Sequence, residues 1–249
     1  MKVEGCTAIV TGGNRGIGLG FVMELIEAGA ERVYIASRKL SDAQAIAESN
    51  PDILKPIQLD VTKLDEVEAA AQACPDVDVV INNAGAFNRE TLLGAPDMSA
   101  MRQEIETNYI GVVAMCRAFA PILKNNGGGA IVNVLSAGGI VSVPGMGGYS
   151  PSKFAARSAS DCMRAELEPQ NTQVSALIVG SVDTRMAKHV TWQEKSTPRD
   201  IGKAGIVAIE NNIHEHDTDA HSVSVRAFLA RDPHTLKRSM AKALHKGRT

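Results

Sequence analysis

The stretch Thr7-Ala8-Ile9-Val10-Thr11-Gly12-Gly13-Asn14-Arg15-Gly16-Ile17-Gly18 decides the fold. A short β-branched run feeds straight into a glycine-rich turn, and residues 16–28 then recur with helical spacing. Glycines at a strand-to-helix turn let backbone N–H groups approach a pyrophosphate at the positive end of the helix dipole, where a Cβ would obstruct contact. The spacing G-x-x-x-G-x-G differs from the G-x-G-x-x-G of the dinucleotide fingerprint, and a tight structural turn is the competing reading of this loop taken alone.

The same alternation continues along the chain. Strands are predicted at 7–11, 32–37, 56–59, 77–82, 130–135, 173–179 and, more weakly, 222–225; helices at 16–28, 42–49, 64–73, 98–124, 150–168 and 199–212. Runs such as VDVVI and AIVNVL are apolar at nearly every residue, which suits a parallel sheet covered on both faces. The expectation is an α/β, Rossmann-like doubly wound sheet of about seven strands in a single domain over 1–249. Ligands of such folds bind at the carboxyl ends of the strands.

The chain has 249 residues, 44% of them hydrophobic, and a formal net charge of −2, which excludes disorder and gives no general pull toward nucleic acid or an anionic membrane. No run reaches about 18 uninterrupted apolar residues, and Glu4 and Gly5 interrupt what a signal peptide would need, so a cytoplasmic protein is expected. Cys6, Cys74, Cys116 and Cys162 form no CxxC pair and read as reduced; Cys116 and Cys162 fall within helical periodicity as buried filler. His214, His216 and His221 with Asp217 and Asp219 match no closed zinc spacing and read as a solvated loop, so no metal is expected. The basic end, with Lys237, Arg238, Lys242, Lys246 and Arg248, suits a helix C-terminus.

At the end of the second predicted strand, Ser37-Arg38-Lys39 offers no carboxylate for an adenosine ribose 2′-hydroxyl. Arg38, with Arg15 in the glycine loop, supplies two cations suited to a 2′-phosphate, so NADP(H) is the expected cofactor; two solvated surface arginines are the alternative. Further along, Tyr149-Ser150-Pro151-Ser152-Lys153 sets a phenol and an ammonium at i, i+4, facing one cleft if a helix starts here. A phenol ionises near 10, so acid/base work near neutrality needs an adjacent cation.

These motifs stand in an order that resembles the short-chain dehydrogenase/reductase family over about residues 5–210: TGGNRGIG, Asp60-Val61, Asn82-Asn83-Ala84-Gly85, Asn108 within ETNYIG, Ser136 closing IVNVLS, then Tyr149 and Lys153. The resemblance implies a catalytic set of Asn108, Ser136, Tyr149 and Lys153. Tyr149 would exchange a proton with a carbonyl or carbinol oxygen, and Ser136 would hydrogen-bond that oxygen. Lys153 would lower the phenol pKa and hold the nicotinamide ribose, and Asn108 would position a water linking Lys153 to solvent. It further implies cofactor contacts from Gly12, Asn14, Arg15, Gly16, Ile17, Gly18, Ser37, Arg38, Asp60, Val61, Asn82, Ala84, Gly85, Tyr149, Lys153, Val182 and Thr184. For Asp60 a helix cap, and for Asn82 and Asn83 pairing between strand ends, are the alternatives.

The resemblance implies a substrate loop near 181–203, and the sequence departs from the family's pattern in a divergent C-terminal extension near 213–249 and at earlier points. Val179-Gly180-Ser181 replaces its usual Pro-Gly pair, which is expected to loosen the 180–184 loop. Met186, His189, Val190 and Trp192 are candidate cleft-lining residues, with the loop 87–93 opposite. A terminal helix with an apolar stripe at Leu236, Met240 and Leu244 is expected to pack on its own subunit or a neighbour's. The reading is an NADP(H)-dependent ketone reductase or alcohol dehydrogenase acting on a small molecule as a homodimer through the helices at 98–124 and 150–168, with a tetramer as the other arrangement. A nucleotide-binding regulator without chemistry and an epimerase or dehydratase are the alternatives.

Overall fold

The computed structural model describes residues 1–188 and 194–246, with side chains to residue 242. Seven parallel strands form one sheet in the order β3-β2-β1-β4-β5-β6-β7. They are β1 (Thr7–Thr11), β2 (Arg32–Ser37), β3 (Leu54–Gln58), β4 (Val79–Asn82), β5 (Gly129–Val134), β6 (Thr172–Ile178) and β7 (Glu215–Asp217). Helices α1 (Gly16–Glu27), α2 (Leu40–Ala47), α3 (Leu64–Ala73), α4 (Ser99–Ile105), α5 (Gly111–Asn125), α6 (Tyr149–Leu167), α7 (Pro198–Glu210), α8 (Ala220–Arg231) and α9 (Pro233–Lys246) complete the order. Chain direction across the sheet reverses between β1 and β4, so the crevice at their carboxyl ends is where a doubly wound fold takes its ligand.

The central strands are buried on both faces because alternate residues feed two cores. Ala8, Val10, Val79 and Ile81 pack with Phe21 and Leu25 of α1 on one side; Ile9, Val80 and Ile131 pack with Met115 and Phe119 of α5 on the other. Helices α1 and α7 meet at Gly20, Gly202 and Gly205, where a Cβ would run into the facing helix or its side chains. The contact is reinforced by Arg199 of α7, which pairs with Glu24 and Glu27 of α1.

Several expectations are corrected. Residues 222–225 are not a strand: Asp219 and Ser222 form a reciprocal capping box that starts α8, and Val225, Phe228 and Leu229 then pack inward at helical spacing. The edge strand is β7, whose Glu-His-Asp sequence carries no apolar signal. It is held instead by Arg157 and Arg226, which pair with Glu215, while Arg226 also binds Asp217. The region 214–221 is therefore a half-buried strand and helix cap, not a solvated loop. The helix expected over 98–124 is interrupted by a π-helical turn at Glu106–Ile110. Cys162 is exposed on α6, whereas Cys6, Cys74 and Cys116 are buried.

Leu236 and Met240 of α9 pack on this same chain, against a cluster that includes Leu135, Ala137 and Ile140. The C-terminal helices thus support the segment around Ser136 from beneath. Leu244 lies outside the described side chains. Among the described residues, no helix is long and apolar enough to cross a membrane.

Candidate active site

The glycine loop is closed by contacts that admit no side chain. Gly12 and Gly16 adopt φ of 64° and 54°, left-handed values that favour glycine. A Cβ on Gly18 would overlap the Gly12 carbonyl and lie 2.6 Å from Asn83 Nδ2. Asn83 Nδ2 donates to Thr11 O at 2.8 Å and Gly12 O at 3.3 Å, while the Thr11 hydroxyl accepts from the N–H groups of Asn83 and Ala84. Asn83 therefore serves strand-end pairing, tying the loop after β4 to the loop after β1. Thr11 and Asn83 form a brace whose geometry the sequence reading left unspecified.

The glycine loop also meets the end of β2, where Gly13 N donates to Ala36 O at 3.2 Å and Asn14 Nδ2 to Asp42 Oδ2 at 3.5 Å. Ser37 is buried there, whereas Arg15 and Arg38 are exposed at these adjoining loops and make no salt bridge among the described residues. Ile17 follows in the first turn of α1, partly buried against the core.

Beyond β3, Asp60 shapes the turn into α3: its carboxylate accepts from Thr62 N and Oγ1, and its own N–H donates to Glu66. Thr11, Val61, Asn82, Ala84, Thr107, Gly111 and Val112 line a narrow cleft. Asn82 Nδ2 donates to Asn133 Oδ1 at 2.9 Å, but its buried Oδ1 has no hydrogen-bond partner among the described residues. A buried acceptor is costly to leave unmade, so this orphaned oxygen beside the cleft fits the donor of a bound group.

Tyr149 opens α6, with Pro151 tolerated in the first turn because the N–H groups there lack intrahelical partners. The Ser150 hydroxyl donates to Gly138 O, fastening this turn to the segment after β5, and Ser136 Oγ accepts from Gly138 N at 3.1 Å. Ser136 and Tyr149 are thereby brought together: a Cβ on Gly138 would lie 3.5 Å from Ser136 Oγ and 3.7 Å from the Tyr149 ring. Phe87, from the loop after β4, packs against the Tyr149 ring with centroids 4.9 Å apart and planes tilted by 51°.

Lys153, one turn on, is buried. Its Nζ lies 5.8 Å from the Tyr149 ring centroid and donates to Val134 O at 2.8 Å. Among the described residues no carboxylate pairs with it, and burial lowers its pKa from 10.5 to about 8. A Cβ on Gly85 would fall 4.0 Å from this Nζ and 3.3 Å from Asn108 Oδ1, so Gly85 keeps open the space beside the ammonium. The buried cation, the opening before it and the orphaned Asn82 oxygen fit a dinucleotide with ribose hydroxyls.

The lowered Lys153 pKa has a stability consequence. An unfolded lysine holds its proton up to about 10.5, so between pH 8 and 10.5 the unfolded state binds more protons and folding becomes more favourable as pH rises. Thermal melts of cofactor-free wild type and Lys153→Met across this window are expected to diverge in favour of wild type. The shift corresponds to about 3 kcal/mol across the full window. A constant difference in Tm between the two proteins would contradict it.

Burial raises the Tyr149 pKa above 10; the Ser136 hydrogen bond works against this, and the negative charge of Glu104 adds to it. In the cofactor-free site burial thus acts on both groups, holding the phenol up and the ammonium down. Asn108 sits in the π-helical turn, fully buried. Its amide is committed to protein, with Oδ1 accepting from Ala86 N at 2.8 Å and Nδ2 donating to Ala86 O and Ser152 Oγ. It braces the 84–86 loop against α6.

The 180–184 loop is tied rather than loosened. Gly180 N donates to Asp219 Oδ2 at 2.6 Å, Asp183 N to Ser196 O, and Ser196 N to Ser181 O. Val182 is buried, and Thr184 lies against Gly16, whose Cβ would be 3.5 Å from Thr184 Cγ2. This loop and the glycine loop thus form two walls of one crevice. Met186 is exposed at its rim, with its carbonyl accepting from Arg89 at 3.4 Å. His189, Val190 and Trp192 lie outside the described residues.

Glu104, absent from the sequence reading, reaches this site from α4. Met101, Glu104, Asn108 and Val112 recur at helical spacing on one inward stripe, so the signal for a buried acid was present in the periodicity.

Comparison with known proteins agrees with this architecture. The family model described as short chain dehydrogenase matches residues 6–195. A crystal structure of a short chain dehydrogenase from Burkholderia cenocepacia J2315 in complex with NADP is 37% identical, with a TM-score of 0.90 over 96% of this chain and 99% of that one. Dehydrogenase/reductase SDR family member 7B of Xenopus laevis is 30% identical over 197 residues, which are 74% of this chain and 61% of the relative's length. The NADP-dependent 3-hydroxy acid dehydrogenase of Schizosaccharomyces pombe is 29% identical over 195 residues, 75% of each chain. With the sheet order, the closed glycine loop and the Ser136–Tyr149–Lys153 cluster already in place, these matches establish that the chain belongs to the short chain dehydrogenase family of oxidoreductases.

Proposed function

We propose that the protein is an NADP(H)-dependent oxidoreductase that interconverts a ketone and a secondary alcohol, with Tyr149 as its acid/base. The observation that carries this reading is the convergence of Ser136 and Tyr149 on Gly138 beside the buried ammonium of Lys153, at the mouth of the crevice between β1 and β4. When bound, the nicotinamide cofactor supplies or takes up the hydride. Tyr149, protonated at neutral pH, donates to the carbonyl oxygen during reduction. Ser136 donates a second hydrogen bond to that oxygen, stabilising the charge that develops there in a partly dry site. Lys153 holds the nicotinamide ribose and favours proton loss from the phenol, and Asn108 keeps the 84–86 loop in place beside it.

For the cofactor, the assignment is Gly12, Asn14, Gly16, Ile17 and Gly18 on the pyrophosphate side, Asp60 and Val61 toward adenine, and Asn82, Ala84 and Gly85 between the ribose and nicotinamide. Val182 and Thr184 border the nicotinamide. Arg15 and Arg38, with Ser37 between the loops, are assigned to the 2′-phosphate. The NADP bound by the Burkholderia relative supports this preference. Arg38→Ala is expected to weaken NADPH binding about 10- to 100-fold, the scale of a lost charged hydrogen bond, and to change NADH binding less than about twofold. Fluorescence titration of the two reduced cofactors checks this, and equal losses for both would remove the assignment.

Ile110 and Phe154, exposed at the start of α5 and on α6, support a homodimer through those helices. The test of the function is oxidation of NADPH, with NADH in parallel, against a panel of ketones and diketones. Ketone-dependent turnover with NADPH supports the reading. NADPH binding without turnover on a broad panel favours the regulator reading.

A further inference from the structure

Glu104 is a buried carboxyl that the proposed reaction does not use. Its side chain is 1% exposed, on the last turn of α4, and Oε1 accepts from Asn88 N at 2.6 Å. Its other oxygen faces the start of α6, where the backbone N–H groups of Gly148 and Tyr149 favour the ionised carboxylate against the burial that raises its pKa. The fit is close enough that a Cβ on Gly148 would stand 2.5 Å from Glu104 Oε2. One carboxylate therefore lies between two segments that set the phenol's surroundings: the loop carrying Phe87, Asn88 and Arg89, and the first turn of α6.

We propose that Glu104 is a positioning residue, whose carboxylate clamps the 87–90 loop to the first turn of α6 and so sets the place of the Tyr149 phenol against Phe87 and the substrate side of the cleft. The inference rests on Tyr149 being the acid/base. Burial raises the Glu104 pKa, and the N–H groups of Asn88, Gly148 and Tyr149 act against that rise in favour of the carboxylate. The charged and titratable groups set around it are Glu90 on the same loop and the Tyr149 phenol on α6. Neither is a cation, so the charge of Glu104 is felt by Tyr149 and makes the phenol harder to ionise.

Two substitutions separate position from charge. Glu104→Gln removes the charge and turns an amide N–H₂ toward backbone donors; Glu104→Asp keeps the charge but falls one methylene short. The first readout is phenolate absorbance in the near ultraviolet on cofactor-free protein, with Tyr34 and Tyr109 subtracted by using the same variants made in Tyr149→Phe. Removing an anion about one side chain away is expected to lower the Tyr149 midpoint by on the order of one pH unit in Glu104→Gln and to leave it in place in Glu104→Asp. The second readout is steady-state kinetics: both variants are expected to lose about tenfold in kcat, with NADPH affinity within twofold of wild type.

An unmoved midpoint in Glu104→Gln, or wild-type kcat in both variants, overturns the proposal. Loss of thermal stability with both readouts unchanged marks a purely structural contact and overturns it as well. If Glu104→Gln does not fold, a wild-type kcat in Glu104→Asp is sufficient to reject it. Wild-type protein inactive on every ketone would count against the proposed function alone, because the phenol titration needs no substrate.

Discussion

Tyr149→Phe is expected to lower kcat for ketone reduction by roughly 10³-fold, within the range that a positioned general acid contributes, and to leave NADPH affinity within about twofold. The substitution is narrow in its physical effect. Phe retains the ring that packs on Phe87 and the volume that fills the half-buried site, so it removes only the hydroxyl. Ser136 keeps its bond from Gly138 N, and Lys153 keeps its bond to Val134 O. The carbonyl oxygen would still meet one donor, but no proton would be delivered along with it. Steady-state NADPH oxidation and a separate binding titration check the two parts. A kcat within tenfold of wild type would assign the proton to another group.

Gly18→Ala is expected to reduce Tm by about 5–10 °C and to weaken NADPH binding by at least about 100-fold. A methyl here overlaps the Gly12 carbonyl and stands 2.6 Å from Asn83 Nδ2, so either the glycine loop or the Asn83 brace must move. Overpacking of this kind costs about 1–3 kcal/mol, which in a chain of this size corresponds to several degrees. Displacing the loop also misdirects the N–H groups proposed for the pyrophosphate, hence the larger effect on binding. Gly5→Ala is the control. Gly5 has φ of 76° but nothing within 4 Å of a built Cβ, so its cost is conformational and remote from the cofactor. Differential scanning fluorimetry and cofactor titration distinguish the two, and a normal NADPH affinity in Gly18→Ala would refute the loop's role.

The parallel sheet was legible because its central strands are apolar on both faces, and β1, β5 and β6 were read nearly to their ends. The edge was not, because β7 is three polar residues held by arginines from α6 and α8, a signal that exists only once those helices are packed. Ser222 to Val225 alternates like a strand, and the Asp219–Ser222 cap prevailed over that alternation. Asp60, read as either a cofactor contact or a cap, proves in the structure to organise the turn into α3.

The sequence by itself determined the doubly wound class and the strand ends at which chemistry gathers, since these depend on local period and residue type, and its resemblance to the family pointed to Ser136, Tyr149 and Lys153. Only the tertiary structure decided how the groups are tuned. Burial, which depends on every packed neighbour, brings Lys153 down to about 8 and holds Tyr149 up. It also set Asn83 to bracing the glycine loop, and Asn108 and Glu104 to bracing the loop after β4. These contacts span 16 to 72 positions along the chain, a separation that hydrophobic periodicity does not encode.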